Sequence, residues 1–217
     1  MDIQFDLIGF DELAKELRDF PKELARANRN AANTTATAVG KLGVDLAYKA
    51  FHVDKQARLK EDSRGRKTVY VDKARQGEAS AVVTFKGGSS PKDGTRIGLQ
   101  HFKTDKKEKN IRERGWKPTV QIRRGGKTEA EVNSFYGVGK LEGQGIFQRQ
   151  IGKKKQYKDR RTGRTRIGEQ IVRQTGPSLK QMIEQKDVYA DLVEQGAVIL
   201  EKKMLEAIEK QLRKITR

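Results

Sequence analysis

Apolar residues recur along this chain at two different periods, and the change from one to the other divides it into three parts. Phe10, Leu13, Leu17 and Phe20 fall at helical spacing, with Asp11 and Glu12 near the positive end of the helix dipole, so a short amphipathic helix is expected there. Pro21 opens a second one. Residues 21–51 are rich in small side chains, from Ala25, Ala27, Ala31 and Ala32 to Gly40, Gly43 and Ala47, with Leu24, Val39, Leu42, Leu46 and Phe51 as larger contacts. Helical backbones can approach closely along such a face. Its two glycines and the Thr34 and Thr35 pair lower helix propensity, by up to about 1 kcal/mol for a glycine, so tertiary packing has to compensate.

The period then shortens to two. Asp54 is placed to cap a short helix over 55–61, which ends in the polar turn 62–66. Val69 and Val71 alternate with Tyr70, and Ala79, Ala81, Val83 and Phe85 alternate with Ser80, Val82 and Thr84, which predicts a strand pair joined near Gly77. Ile97, Leu99 and Phe102 form a third candidate strand. Val120 with Ile122, and Val132 with Phe135, flank Gly125 and Gly126 as a hairpin. The pattern predicts an antiparallel sheet.

Between Gly145 and Pro177 an apolar segment, a basic segment and a second strand follow one another. Ile146, Phe147 and Ile151 suggest a short strand, and 166–174 alternates about Ile167 and Ile171 as a half-buried strand does. Residues 153–166 between them hold eight positive charges against Asp159 alone, so a solvated loop is expected. Gly176 and Pro177 should stop the strand, and Ser178 with Gln181 forms a capping-box pattern that opens the C-terminal helical part. There Val193, Ala197, Leu200, Met204, Ile208, Leu212 and Ile215 make a stripe at spacings of three and four. Glu206 with Lys210, and Glu209 with Arg213, are favourable i,i+4 pairs.

These readings add up to an α+β fold: an antiparallel sheet packed against N-terminal helices and a long C-terminal helix, with basic loop insertions. A single domain is expected over 1–217, helical over 1–62, sheet with basic loops over 67–175, and helical over 178–217. The chain of 217 residues is 35% hydrophobic and 35% charged, consistent with a modest core under much solvated surface. It has no cysteine, which excludes disulfides and thiolate metal sites and fits a reducing compartment. No apolar run approaches the roughly 20 residues that span a bilayer, so no membrane association, secretion signal or anchor is expected.

Charge sharpens the picture through its location. The net charge is +18, of which residues 103–127 carry +7 and residues 153–166 another +7. The rest of the chain is nearly balanced. Candidate contact residues for nucleic acid or an acidic partner are therefore Lys106, Lys107, Arg112, Arg114, Trp116, Arg123 and Arg124 in the first segment. In the second they are Lys153, Lys154, Lys155, Lys158, Arg160, Arg161 and Arg164. Trp116 could stack on a base, although a packing role competes with that. The alternative for both segments is solubilising surface.

No catalytic pattern stands out. Gly137, Gly139 and Gly143 do not have the spacing of a phosphate-binding loop, and Ser134 sits in no nucleophile elbow. A histidine-based metal site would need both His52 and His101 plus distant carboxylates, so surface or core roles are expected for them. Glu129, Glu131 and Lys127 lack a compact metal-nuclease arrangement. No cofactor is called for.

The order of several short segments carries a resemblance. Ile8, Gly9, Phe10, Asp11, Glu12 and Leu13, the 25–38 helix with Arg26, Asn28, Arg29 and Ala31, then Phe147, Gln148 and Arg149, and finally Gly176, Pro177, Ser178 and Leu179 look like the minor tail protein Z family of long-tailed bacteriophages. The match runs over nearly the whole chain, while the basic segments around 103–114 and 153–166 depart from the family pattern. The resemblance implies a non-enzymatic tail-completion protein of the virion, assembled in the bacterial host cytoplasm. It further implies a homo-oligomeric ring, a hexamer by analogy with tail symmetry, at the end of the tail tube, helping to join tail to head. Its partners would be tail-tube, tail-terminator or neck proteins, with genomic DNA in the conduit as a further contact. The alternative is a basic DNA- or RNA-binding protein using 103–127 and 153–166.

Overall fold

Two helices of 30 residues each frame the fold, α1 over Pro21–Ala50 and, at the far end of the chain, α4 over Lys186–Ile215. The computed structural model describes residues 2–3, 21–76, 80–88, 95–104, 118–130, 134–137, 145–158 and 162–215. The expected helix about Phe10 to Phe20 lies outside them, as do Trp116, Lys106, Lys107, Arg112, Arg114, Arg160 and Arg161.

Helix α1 is made by burial rather than propensity. Ala27, Ala31, Ala36, Val39, Val44 and Ala47 form its inner face together with Gly40 and Gly43. Gly43 is where the helix comes closest to the sheet: a Cβ there would sit 2.6 Å from the Phe85 ring. The glycines that weaken the helix in isolation are what lets it press against the strands below.

Those strands are β1 (Asp2–Ile3), β2 (Val69–Asp72) and β3 (Val82–Phe85), in the order β1-β3-β2 and antiparallel throughout. Val71 faces Val83 and Val69 faces Phe85, which is the strand pair expected from the alternation. A short helix α2 (Ala57–Lys60) precedes it and buries Leu59. Asp54 does not cap that helix, contrary to expectation; its carboxylate is engaged by Arg58 and His101. Asp62 does close the following turn, its Oδ1 accepting from the backbone N–H groups of Arg64 and Arg66 at 2.8 and 2.9 Å.

The remaining strands form three more antiparallel sheets instead of extending the first. Strand β4 (Arg96–Gly98) leads into a 3-10 turn (Leu99–His101), and β5 (Lys103–Thr104), β6 (Thr119–Gln121) and β7 (Glu129–Ala130) make one small sheet. The expected single strand through Ile97, Leu99 and Phe102 is thus broken by the turn. The hairpin about Gly125 and Gly126 exists, but Val120 faces Glu129 in it. Phe135 belongs to β8 (Ser134–Tyr136), which pairs with β9 (Ile146–Lys158). Strand β10 (Thr165–Arg173) pairs with the other side of β9, giving the order β10-β9-β8.

Gly176 and Pro177 do not end the sheet structure as expected. They lie within β11 (Thr175–Ser178), paired with β4. Ser178 caps the next helix with the full reciprocal arrangement, its hydroxyl taking the Gln181 N–H while the Gln181 side chain takes the Ser178 N–H. That helix, α3 (Leu179–Ile183), is one short turn that buries Leu179, Met182 and Ile183 before α4 begins.

The main core lies between α1, the β2–β3 pair, the 3-10 turn, Ile146, α3 and the first turns of α4, through Val188 and Leu192. A second cluster joins Ala27 and Ala31 near the start of α1 to Met204 and Ile208 toward the end of α4, so the two long helices run antiparallel. The buried stripe of α4 is Val188, Leu192, Gly196, Leu200, Met204, Ile208 and Gln211. It agrees with the expected stripe at Leu200, Met204 and Ile208, with Leu212 and Ile215 half-buried beside Gln211, and departs from it before: Val193 is 37% exposed. Glu209 pairs with Arg213 at 3.6 Å, while Glu206 pairs with Lys203 at 2.6 Å rather than with Lys210.

Candidate interaction surface

The basic segment 153–166 is a β-ribbon for most of its length, and this corrects the loop expected there. Strand β9 continues as far as Lys158 and β10 starts at Thr165, so Lys153, Lys154, Lys155 and Lys158 are strand residues and Arg164 lies in the connection. Repulsion and hydration were expected to keep the segment out of the core, and they do: 151–158 are all exposed. A two-stranded ribbon is compatible with that, because it sends successive side chains to opposite faces and leaves both faces in water. Its register places Lys154 opposite Glu169, Gln156 opposite Ile167 and Lys158 opposite Thr165.

Two features bend and stiffen this arm. Between the pairs Glu169↔Lys154 and Gln170↔Gln150 the register shifts, leaving 151–153 as extra residues on β9, with Gly152 at φ +83°. This is a bulge, which sharpens the local twist and aims the outer part of the ribbon away from its root. Farther out, Tyr157 donates its hydroxyl proton to the Glu169 carbonyl oxygen at 3.1 Å, and its ring lies against Gly168.

The root is anchored in the fold. Ile146 and Phe147 are buried, and the Phe147 ring stacks with Phe135 at 6.2 Å between centroids. Arg149 lies 5.3 Å over the Phe135 ring, and Gln174 bonds through its backbone N–H to the Ile146 carbonyl at 2.8 Å. Beyond Phe147 every described residue of β9 is exposed or partly so, and from Ile151 to Lys158 all are exposed.

The apolar side chains on the arm are uncovered too. Ile151 is 69% exposed, Ile167 65% and Ile171 39%, so the isoleucines of the alternation are exposed, and the half-buried residues of β10 are Gly168, Glu169, Gln170 and Val172 instead. No ion pair within the described residues neutralises Lys153, Lys155 or Lys158. The arm therefore presents mixed cationic and apolar surface, the composition of a contact region more than of a solubilising one.

Arg123 and Arg124 belong elsewhere. Arg123 forms an ion pair with Asp187 at the start of α4 and lies 6.0 Å from the Phe51 ring, while Arg124 lies 5.9 Å from the Tyr48 ring and its N–H bonds the Ala50 carbonyl. They tie the β6–β7 turn to the end of α1 and the start of α4. Two candidates named for partner contact thus have internal work, and the structure does not bring them together with the arm on a common element.

Sequence reasoning missed one polar constellation. His101 Nδ1 lies 3.2 Å from Asp54 Oδ2, whose other oxygen accepts from Arg58 Nε at 2.7 Å, and the Gln100 amide nitrogen is 3.0 Å from His101 Nε2. Asp54 and His101 are 47 positions apart, with no motif linking them. With the Gln100 amide nitrogen donating to Nε2, the ring carries its proton on Nδ1 and donates it to Asp54. Burial lowers its pKa, Arg58 and Arg173 lower it further, and Asp54 opposes them. Asp54 itself is held below the usual carboxylate range: burial pushes it up, and the bond and charge of Arg58 with those of His101 outweigh that.

This group borders a cavity of about 310 Å³ lined by Arg58, Glu61, Asp62, Arg96, His101 and Arg173. An Asp–His pair can orient a general base. Here the nitrogen that would take a substrate proton is occupied by Gln100, so the chain of bonds works as a tie between the 54–58 turn and the 3-10 turn. A backbone bond from Asp54 N–H to the His101 carbonyl at 2.8 Å reinforces it.

Among the described residues no group of three or more His, Cys, Asp or Glu is placed to hold a metal ion, and no helix is long and apolar enough to cross a membrane. No protein-family model, no curated protein and no solved structure matches the chain.

Proposed function

We propose that the chain is a structural, non-enzymatic virion protein of a long-tailed bacteriophage: a tail-completion protein that forms a ring at the end of the tail tube and helps join tail to head. The observation that supports an assembly role is the β9–β10 arm, a ribbon anchored by Ile146 and Phe147 whose outer part is largely exposed, with Ile151 and Ile167 uncovered. A chain that extends ordered, mixed apolar and cationic surface into solvent is suited to assembly with other molecules. The tail assignment itself is carried by the ordered run of segments resembling minor tail protein Z. Its partners on this reading are further copies of itself and tail-tube, tail-terminator or neck proteins.

A second reading has its own observation in favour. A two-stranded ribbon fits the major groove of duplex DNA, and Lys153, Lys154, Lys155, Lys158 and Arg164 would meet phosphates along it. The uncovered isoleucines favour protein contact over this.

Deleting the reading frame from its phage genome and imaging the lysate tests the proposal. Filled heads beside incomplete or unjoined tails are expected. Joined, infectious particles in normal number overturn it.

A further inference from the structure

The surface that would receive the arm is present on the same chain. In a protein of net charge +18, residues 184–201 stand apart, with five carboxylates against one lysine. Asp187, Asp191, Glu194, Val198 and Glu201 follow one another at spacings of four, three, four and three, which puts them on one stripe of α4. All five are exposed, and Val198 in their midst is 62% exposed. This stripe faces away from the buried Val188, Leu192 and Gly196. Asp187 is engaged by Arg123, but no ion pair within the described residues neutralises Asp191, Glu194 or Glu201.

We propose that the β9–β10 arm of one copy docks on the acidic stripe at the start of α4 of a second copy, deepening the ring reading above. The chemistry is complementary on both counts. On the ribbon face that also carries Ile167, Lys154 and Lys158 form no ion pair among the described residues, and they meet carboxylates that form none either. Ile167 at 65% exposure and Val198 at 62% each gain an apolar neighbour. Lengths agree as well: eight strand residues from 151 to 158 reach about 25 Å at roughly 3.3 Å each, and the fourteen steps from 187 to 201 reach about 21 Å at 1.5 Å each. A nucleic acid would match the lysines but leave the isoleucines unexplained, and it would be repelled by the stripe.

Donor and receptor surfaces are different, so each copy gives one arm and receives one. Such contacts repeat from copy to copy until they close.

Charge reversal in solution tests the contact. One variant carries Lys154→Glu and Lys158→Glu, on the face shared with Ile167; the other carries Asp191→Lys, Glu194→Lys and Glu201→Lys. All five positions are exposed, so both variants should fold, which circular dichroism checks. Native mass spectrometry and sedimentation at low salt should show the parent chain self-associating and each variant associating at least about tenfold more weakly. An equimolar mixture of the two should associate again, because every arm then finds a helix of opposite charge in the other variant. The absence of cysteine allows a second test: a chain with Ile167→Cys and Val198→Cys should form disulfide-linked oligomers on oxidation, and chains with either change alone should stop at dimers. A parent chain that stays monomeric at low salt, variants that associate like the parent, or a mixture that fails to associate overturns the docking. Self-association through this contact combined with normal particles after deletion would instead uphold the docking and remove the tail role.

Discussion

Gly43 and Phe85 meet at the closest approach between α1 and the sheet: a Cβ added to the glycine would lie 2.6 Å from the ring, and Phe85 is 1% exposed with nowhere to move. Ile183 closes the third side at 3.3 Å. Gly43→Ala should therefore destabilise the fold by about 1–3 kcal/mol through overpacking, even though alanine is the better helix former. Denaturant unfolding measures this. Lys41→Ala, on the exposed face, should shift stability by no more than about 0.5 kcal/mol, and an equal effect at both positions would refute the contact.

The buried stripe of α4 gives a second expectation. Leu200 and Met204 are 8% and 2% exposed, so replacing either with alanine should cost about 2–5 kcal/mol. Val198→Ala should cost much less, since that side chain is 62% exposed. A comparable loss at Val198 would place the helix in a different rotation.

How far the sequence disclosed this fold depended on whether the signal was local. The capping box at Ser178 and Gln181, the strand pair of Val71 and Val83, and the extents of both long helices rest on residues close in sequence, and each is present. The early part of the α4 stripe was misplaced because Val193 and Leu192 are equally apolar; only the position of Val188 against the core decides which is buried. The arm was illegible for a deeper reason. Runs of lysine predict solvation correctly, but solvation is compatible with a ribbon as well as a loop, and the register that makes a ribbon is set by pairing with 165–169. The His101–Asp54 tie was out of reach because nothing in either neighbourhood marks the other.

That tie makes stability depend on pH. The ordinary histidine value is 6.5, and in the fold His101 titrates lower, so the unfolded chain binds the proton more readily. The contribution is complete above about pH 6.5 and is lost as pH falls through the lowered folded value. Thermal unfolding should therefore show a midpoint that drops between about pH 7.5 and 5.5. His101→Gln, which has no titrating group, should flatten that decline. His52 also titrates low and is present in both chains, so the difference between them isolates His101. Parallel pH curves would rule out the assignment.

Asp62 acts in a lower window. Burial raises its pKa, but the backbone and side-chain bonds from Arg66 and the backbone bond from Arg64 outweigh that and hold it below the usual range. A carboxylate of this kind stabilises the fold above its unfolded value near 3.8 and ceases to as pH falls through the lowered one. Asp62→Asn should lower the unfolding midpoint at neutral pH and converge with the parent in strong acid. A constant offset at all pH values would mean that packing, not charge, is responsible.

Backbone exchange of the arm separates its stability from that of the core. Its hydrogen bonds between β9 and β10 beyond the bulge are flanked by residues that are exposed, apart from the half-buried Gly168 and Glu169, and little buried apolar surface opposes their opening. The amides of α1 around Val39 and Val44, at 0% and 3% exposure, can exchange only when the main core opens. Hydrogen exchange read by mass spectrometry on dilute protein in high salt should then show amides within 153–158 exchanging orders of magnitude faster than those in 39–47. Gly152→Ala, which forces an alanine into φ +83°, should speed arm exchange further by roughly 1–2 kcal/mol of local strain and leave the core amides unchanged. If arm and core amides slow and quicken together, the ribbon is part of one cooperative unit, and its independence from the core is refuted.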